Sequence, residues 1–204
     1  MKIYATDIFL TKQNPLKQMI RKGIPAEYRT KVWLFTSGAG ARWSQNKGYY
    51  KSLVQNNIDK TSEHIKIIDK DIQRTLATNV FFREPQTLDA LRRILVAFSW
   101  HNTRIGYCQG LGYIAGILLL LMKEESAFWL FCTIVEKLLP EEYFTETLIA
   151  ARVDQLVFAA LISKKLPHLW AHFQRVSLNL NAVFYGWFIC LFVNVLPVEV
   201  EIIF

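Results

Sequence analysis

Apolar residues recur along this chain at three- and four-residue steps, and no stretch of any length alternates apolar with polar. This periodicity limits the fold more than any other feature, because an α-helix gathers residues i, i+3 and i+4 on one face whereas a strand sorts its faces by twos. Leu88, Leu91, Leu95 and Phe98 follow the helical spacing and predict an amphipathic helix that ends near His101. Helices are also expected from Pro25, which suits a first helical turn, to about Ser37 and Gly38, and over approximately Ser126 to Leu138, Ala151 to Leu166 and Val183 to Val195. Pro140, Pro167 and polar turns separate the later segments. The expected class is all-α, with many helices.

With 204 residues, of which 52% are hydrophobic and 20% charged, the chain can bury a substantial core. No Pro/Gly/Ser-rich linker or repeat divides it, so one domain is expected. The formal net charge is +7, but the 24 Lys and Arg are dispersed, which argues against a nucleic-acid stripe. Cys108, Cys132 and Cys190 lie far apart with no C-x-x-C pair, as suits a reducing, cytoplasmic setting rather than a disulfide framework or zinc site. The N-terminus, "MKIYATDIFLTKQNP", lacks the sustained apolar run and cleavage pattern of a signal peptide.

Two apolar stretches raise the question of a membrane. Leu111 to Met122 has only 12 residues, well short of the roughly 20 a spanning helix needs, and is read as a buried core helix. The segment from Ala182 to Phe204 is interrupted by Asn194, Pro197, Glu199 and Glu201. Each carboxylate would cost about 2.5 to 3.5 kcal/mol at mid-bilayer, so a core helix whose covering partners lie outside this chain is expected over a tail anchor.

The segment "IKIIDKDIQRTL" can be worked out on a helical wheel. At about 100° per residue, Ile65, Ile68, Ile72 and Leu76 fall within roughly 80° and form a buried stripe. Arg74 then points to the opposite side, and Asp71 stands at an i,i+3 spacing that lets the two side chains meet. Taken alone, that pair is either a common, weak surface ion pair or an outward arginine held by its own carboxylate. Further along, "RIGYCQGLGYIAG" places Gly106 and Gly110 around Tyr107, Cys108 and Gln109, predicting a tight turn that feeds the Leu111 helix. Gln109 is either a cap for that helix or a side chain presented to a partner, and Tyr107 either packs or shapes the turn.

Motifs for chemistry internal to the chain are missing. There is no G-x-S-x-G elbow, no G-x-x-x-x-G-K-[ST] loop and no H-E-x-x-H, and "SGAGARW" lacks the rest of a phosphate loop. His168 and His172 have an i,i+4 spacing but no third ligand nearby, so no metal is expected.

Ile68-x-x-Asp71-x-x-Arg74-Thr75 resembles the I-x-x-D-x-x-R motif, and Tyr107-x-Gln109-Gly110 the Y-x-Q-G motif, of TBC domains, the GTPase-activating domains for Rab GTPases. The two occur in the family's order, with 34 residues between Arg74 and Gln109. "GIPAEYRTKVW" resembles the start of the domain, and "AFWLF", "VDQLVF" and "WFICLFVNVLP" resemble its later signatures. "SGAGARWSQNKGYY" is close in pattern to the growth hormone-regulated TBC proteins. The resemblance runs from about Gly23 to Pro197, leaving residues 1–22 as an N-terminal extension and 23–204 as the domain.

The resemblance implies a mechanism in which Arg74 acts as an arginine finger and Gln109 orients water in the nucleotide site of a Rab. Arginine fingers contribute on the order of 10³ to 10⁵ in rate. Asp71 would hold Arg74, Tyr107 and Gly110 would shape the turn presenting Gln109, and Thr75 belongs with these supporting residues. No cofactor would belong to this chain, since GTP and magnesium are carried by the GTPase. Nucleic acid is not an expected partner, and endomembranes would be reached only through the Rab, in vesicle trafficking. Departures from the pattern are Leu111-Gly112 in place of Met-Asn after Q-G, and Leu76-Ala77 in place of the common F-P after R-T. Family members continue past "VLPVEVEIIF" into further helices, so a truncated C-terminal half with impaired folding or activity is expected. A catalytically impaired Rab-binding module and, less favoured, a membrane-anchored adaptor are the alternatives to an active GTPase activator.

Overall fold

The computed structural model describes residues 23–140, 142–193 and 195–197. The N-terminal extension, residues 1–22, and the last seven residues lie outside the described residues. Those described form ten α-helices and no strands. In chain order they are α1 (Ala26–Thr36), α2 (Ala39–Gln45), α3 (Tyr49–Asn56), α4 (Glu63–Asp71), α5 (Pro85–His101), α6 (Leu111–Leu121), α7 (Glu124–Thr133), α8 (Ile149–Lys165), α9 (Pro167–Arg175) and α10 (Leu180–Ile189). A short 3-10 turn, Val80–Arg83, precedes α5, and α7 runs on into a π-helical turn, Ile134–Leu138.

The helices start where local chemistry satisfies their free N–H groups. Ser62 Oγ accepts from Ile65 N–H at 3.2 Å to open α4, Asn179 Oδ1 accepts from Ala182 N–H at 3.2 Å to open α10, and Pro85 and Pro167 stand in the first turns of α5 and α9. The main core is built on α5, α6 and α7, which contribute the fully buried Leu91, Ile94, Leu95, Phe98, Leu111, Ile114, Phe128, Trp129 and Phe131. Ile65, Ile68 and Ile72 join it from the segment containing α4. Side chains of this size each stabilise by about 1.5 to 3 kcal/mol when fully buried. A smaller cluster, centred on Ile162, Leu180 and Phe184, joins α8 to α10 and takes in the partly buried Trp187 and Phe188.

Two helices are shorter than their periodicity predicts. α4 stops at Asp71 instead of continuing through Leu76, and the residues after it form a turn in which the Asp71 carbonyl accepts from the N–H groups of Arg74 and Thr75 and from Thr75 Oγ1, at 3.1, 3.0 and 2.8 Å. Leu76 then turns left-handed, at φ 50°, and packs over Gly116 of α6. That backbone costs roughly 1 to 2 kcal/mol, offset by the apolar contact. Arg74 therefore sits in a tight turn after the helix, not on its face. α10 ends at Ile189 instead of reaching Val195, with Leu191 and Phe192 left-handed and the Phe192 ring folded back onto Trp187 and Phe188 at 6.0 and 5.6 Å between centroids. On α8, Ile149, Val153, Leu156, Val157 and Leu161 share one helical face and are all exposed.

Charged contacts join the core helices to one another and to α2 and α3. Arg93 of α5 makes a forked contact with Glu124 of α7, both bonds 2.8 Å, and Tyr50 of α3 donates to the same carboxylate at 2.5 Å. Arg42 of α2 reaches Glu136 at 2.7 Å. Burial alone would push the Glu136 carboxyl up, but hydrogen bonds from His101, Asn102 and Arg42 outweigh it and hold the group at about 2, against an ordinary 4.5.

A carboxyl depressed on folding stabilises the native state above its unfolded value and loses that contribution as the pH falls through its folded value. Denaturant unfolding is expected to show stability declining between about pH 4.5 and pH 2, with roughly 2 to 3 kcal/mol of the loss belonging to Glu136. Glu136→Gln should be less stable near neutrality and have a flatter profile across that interval. An unchanged slope would contradict the assignment.

Candidate functional site

The two motif segments meet at one carboxylate. Asp71, the last residue of α4, has a side chain only 7% exposed, whereas that of Arg74 is 59% exposed. Arg74 Nη2 donates to Asp71 Oδ1 at 2.5 Å, and the buried Tyr107 hydroxyl donates to Asp71 Oδ2 at 3.0 Å. Each oxygen thus serves a different stretch of chain, separated by more than thirty residues. Burial, followed by the charge of Asp71 and its hydrogen bond, pushes the Tyr107 phenol well above its ordinary value, so it keeps the proton that it donates.

An exposed arginine on a buried carboxylate contributes little net stability, because water screens its charge; exposed pairs are worth about 0 to 1 kcal/mol. Its main effect is to set direction. With one guanidinium nitrogen engaged, the remaining donors of the fork stay open to an incoming oxygen-rich group. The pair is therefore not a solvated surface bridge, since one member is built into the core. Thr75, 2% exposed, closes the turn beneath Arg74 through its bond to the Asp71 carbonyl.

Gln109 is exposed at the crest of the turn between α5 and α6. Its side chain does not cap α6: the N-cap is Gly110, and no side-chain cap bond is made. Two close approaches shape the turn. Gly106, at φ 59°, has the His64 imidazole where a Cβ would stand, and Gly110, at φ 111°, has Ile189 of α10 there. Both positions combine left-handed backbone with a blocked Cβ, which only glycine accommodates without strain.

Burial, then Asp71, pushes the Cys108 thiol up to about 11, so it is a poor nucleophile near neutrality. The Tyr113 phenol is raised chiefly by burial and stands close enough to Arg74 and Asp71 to feel both charges. Neither Tyr113 nor the Ile189 wall is legible from the residues alone, since helical spacing assigns both simply to apolar faces. His168 and His172 lie on α9. Among the described residues no three His, Cys, Asp or Glu side chains gather as metal ligands, and no helix is long and apolar enough to cross a membrane.

A family model for the Rab-GTPase-TBC domain matches residues 26–203. The chain belongs to this family. Its relatives include TBC1 domain family member 2B of Xenopus tropicalis, 39% identical over 184 residues that cover 88% of this chain and 20% of that protein. Growth hormone-regulated TBC protein 1-A of Danio rerio is 40% identical over 188 residues, covering 90% of this chain and 52% of that one. The chain thus spans between about one fifth and one half of the length of these relatives. Among solved structures, it superposes on the Chlamydomonas flagellar RabGAP TBC domain with a TM-score of 0.82 and 32% identity, over 97% of this chain and 66% of that chain. The Ypt/Rab-GAP domain of Gyp1p shares the fold, with a TM-score of 0.78 at 18% identity, over 96% of this chain and 74% of that chain.

In this TBC domain Gly110 offers a direct check on how the turn is held. Gly110→Ala is expected to lower stability by about 2 kcal/mol or more, from left-handed strain plus collision with Ile189. Gly48→Ala, at φ 79° with nothing within 4 Å of a Cβ, should lose only the strain. Equal losses in thermal unfolding would contradict the packing of the turn on α10.

Proposed function

We propose that this TBC domain is a GTPase-activating protein for a Rab-family GTPase, supplying Arg74 and Gln109 in trans. The observation that carries the reading is the Asp71 carboxylate, which binds Arg74 through one oxygen and the Tyr107 turn through the other, with Arg74 and Gln109 both left exposed. Family membership and the order of the two motifs support it.

In the reaction, water attacks the γ-phosphorus of GTP, the bond to the β-phosphate oxygen breaks, and negative charge grows on the transferring and leaving oxygens. The Arg74 guanidinium, a fixed cationic fork, stabilises that charge where it develops. The Gln109 carboxamide can accept from the attacking water and donate to a γ-phosphate oxygen together, which fixes the line of attack. Asp71 is a positioning residue: with Arg74 already oriented, docking does not have to order it, a saving of roughly 0.5 to 1.5 kcal/mol. Gains of about 10³ to 10⁵ in rate correspond to approximately 4 to 7 kcal/mol of barrier, which places most of the effect in charge stabilisation and alignment. No covalent intermediate on this chain is required. Magnesium and nucleotide belong to the GTPase, and contact with endomembranes would come through it.

Single-turnover GTP hydrolysis across a panel of Rabs tests the reading. The chain is expected to accelerate at least one Rab, with Arg74→Ala and Gln109→Ala each removing most of the acceleration at saturating chain. Binding to GTP-loaded Rab with no acceleration by the intact chain would select a Rab-binding module instead. Full activity in both variants would refute the assignment of the two side chains.

A further inference from the structure

The turn that carries Gln109 is anchored at its far end by a group that no motif marks. α5 ends at His101, and Asn102 follows with its side chain bonded at both ends. Asn102 Oδ1 accepts from Ile105 N–H at 3.1 Å, and Asn102 Nδ2 donates to Glu136 Oε1 at 2.9 Å. The Asn102 carbonyl also accepts from Gly106 N–H at 2.7 Å. Two successive N–H groups of the turn, those of Ile105 and Gly106, are therefore held by one residue that is itself bonded to Glu136, immediately before Tyr107 bonds Asp71.

Glu136 decides which way the amide faces. A carboxylate only accepts hydrogen bonds, so it must meet the NH₂ end of Asn102, which directs the oxygen to Ile105. Without that constraint the amide could reverse and leave Ile105 N–H facing a second donor. Glu136 is itself fixed: Arg42 of α2 reaches its other oxygen at 2.7 Å, and His101 Nε2 lies 3.3 Å from Oε1. Arg42 is held in turn by Thr133 Oγ1 at 3.3 Å and lies over the Trp129 ring, 5.8 Å from its centroid. Tyr49 closes the chain of contacts with a 2.9 Å bond to His101 Nδ1. Glu136 lies in the π-helical turn after α7, a distortion often found at functional sites.

We propose that Asn102 is a positioning residue for Gln109, oriented by the Arg42-supported carboxylate of Glu136. The proposal rests on the reading that Gln109 orients the attacking water, and adds the device that fixes the turn's rear while Tyr107 and Asp71 fix its front. A misplacement of about 1 Å in such a group can cost on the order of 10²-fold in rate, whereas affinity for the GTPase is spread over a whole docking face. Loss of the anchor should therefore lower the saturating rate and leave the half-saturating concentration nearly unchanged.

An exchange of the two side chains tests this in the full chain. Asn102→Asp keeps the acceptor for Ile105 N–H but sets two carboxylates against each other. Adding Glu136→Gln restores a donor opposite the new carboxylate and keeps an acceptor for Arg42, with the net charge as before. Asn102→Asp alone is expected to lower the saturating rate of GTP hydrolysis by about tenfold or more, with half-saturation moving less than about twofold. The double variant should return to within about threefold of the starting rate. Amide hydrogen exchange supplies a readout that needs no GTPase: protection of residues 105–109 should fall in the single variant and recover in the double, while α4 stays unchanged. Full rate and protection in Asn102→Asp, or a double variant no better than the single, would overturn the proposal. If Gln109→Ala keeps the full rate, the reading of Gln109 fails; if it loses the rate while Asn102→Asp keeps it, only the anchor fails.

Discussion

Asp71 is the last residue of its helix, almost entirely withdrawn from water, and each of its two oxygens is claimed by a different part of the chain. Isolated in an apolar interior, an ionised carboxylate would be strongly unfavourable. Here the guanidinium of Arg74 and the phenol of Tyr107 provide the compensation, and both are consequently fixed in direction. The carbonyl of the same residue accepts from Arg74 and Thr75 N–H in the turn that follows α4. One residue thus holds the turn after the helix, aims the arginine and joins the glutamine turn to the arginine turn.

That arrangement is only as rigid as the body beneath it. α5 and α6 flank the Gln109 turn and contribute most of their buried side chains to the main core, and α7 packs against both. Around this core the charged contacts are peripheral and mostly half exposed, so their net contributions to stability are small, and their value lies in register. Glu136 is the exception, more enclosed and bonded to three side chains, and it stands directly behind the turn. Ile189, the wall against which Gly110 turns, lies at the end of α10 but packs with the main core, not with the second cluster on α8 and α10.

Much of this was legible in the residues themselves. The spacing of Ile65, Ile68 and Ile72 gave the buried stripe of α4, and the i,i+3 relation of Asp71 and Arg74 gave their contact. The bracketing glycines gave the turn at Tyr107 and Gln109. Periodicity could not reveal that α4 stops at Asp71, because the stop depends on Leu76 finding a left-handed place over Gly116, a contact some forty positions away in the chain. For the same reason the burial of Asp71 was hidden: on a wheel it lies beside the solvent face, and its enclosure needs, besides Arg74, a hydrogen bond from the distant Tyr107. Asn102 and Glu136 carried no signal at all, since a polar residue after a helix and a glutamate near the end of another are ordinary at the surface.

The central claim is that Asp71 couples the two turns, so that its bonds to Arg74 and Tyr107 act as a unit in catalysis. A double-mutant cycle with Asp71→Asn and Tyr107→Phe, read as the saturating rate of GTP hydrolysis on an accelerated Rab, addresses it most directly. A coupling energy of about 1 kcal/mol or more is expected, with the double variant scarcely slower than Asp71→Asn alone. Effects that simply add would mean that the two turns are held independently, and would contradict it.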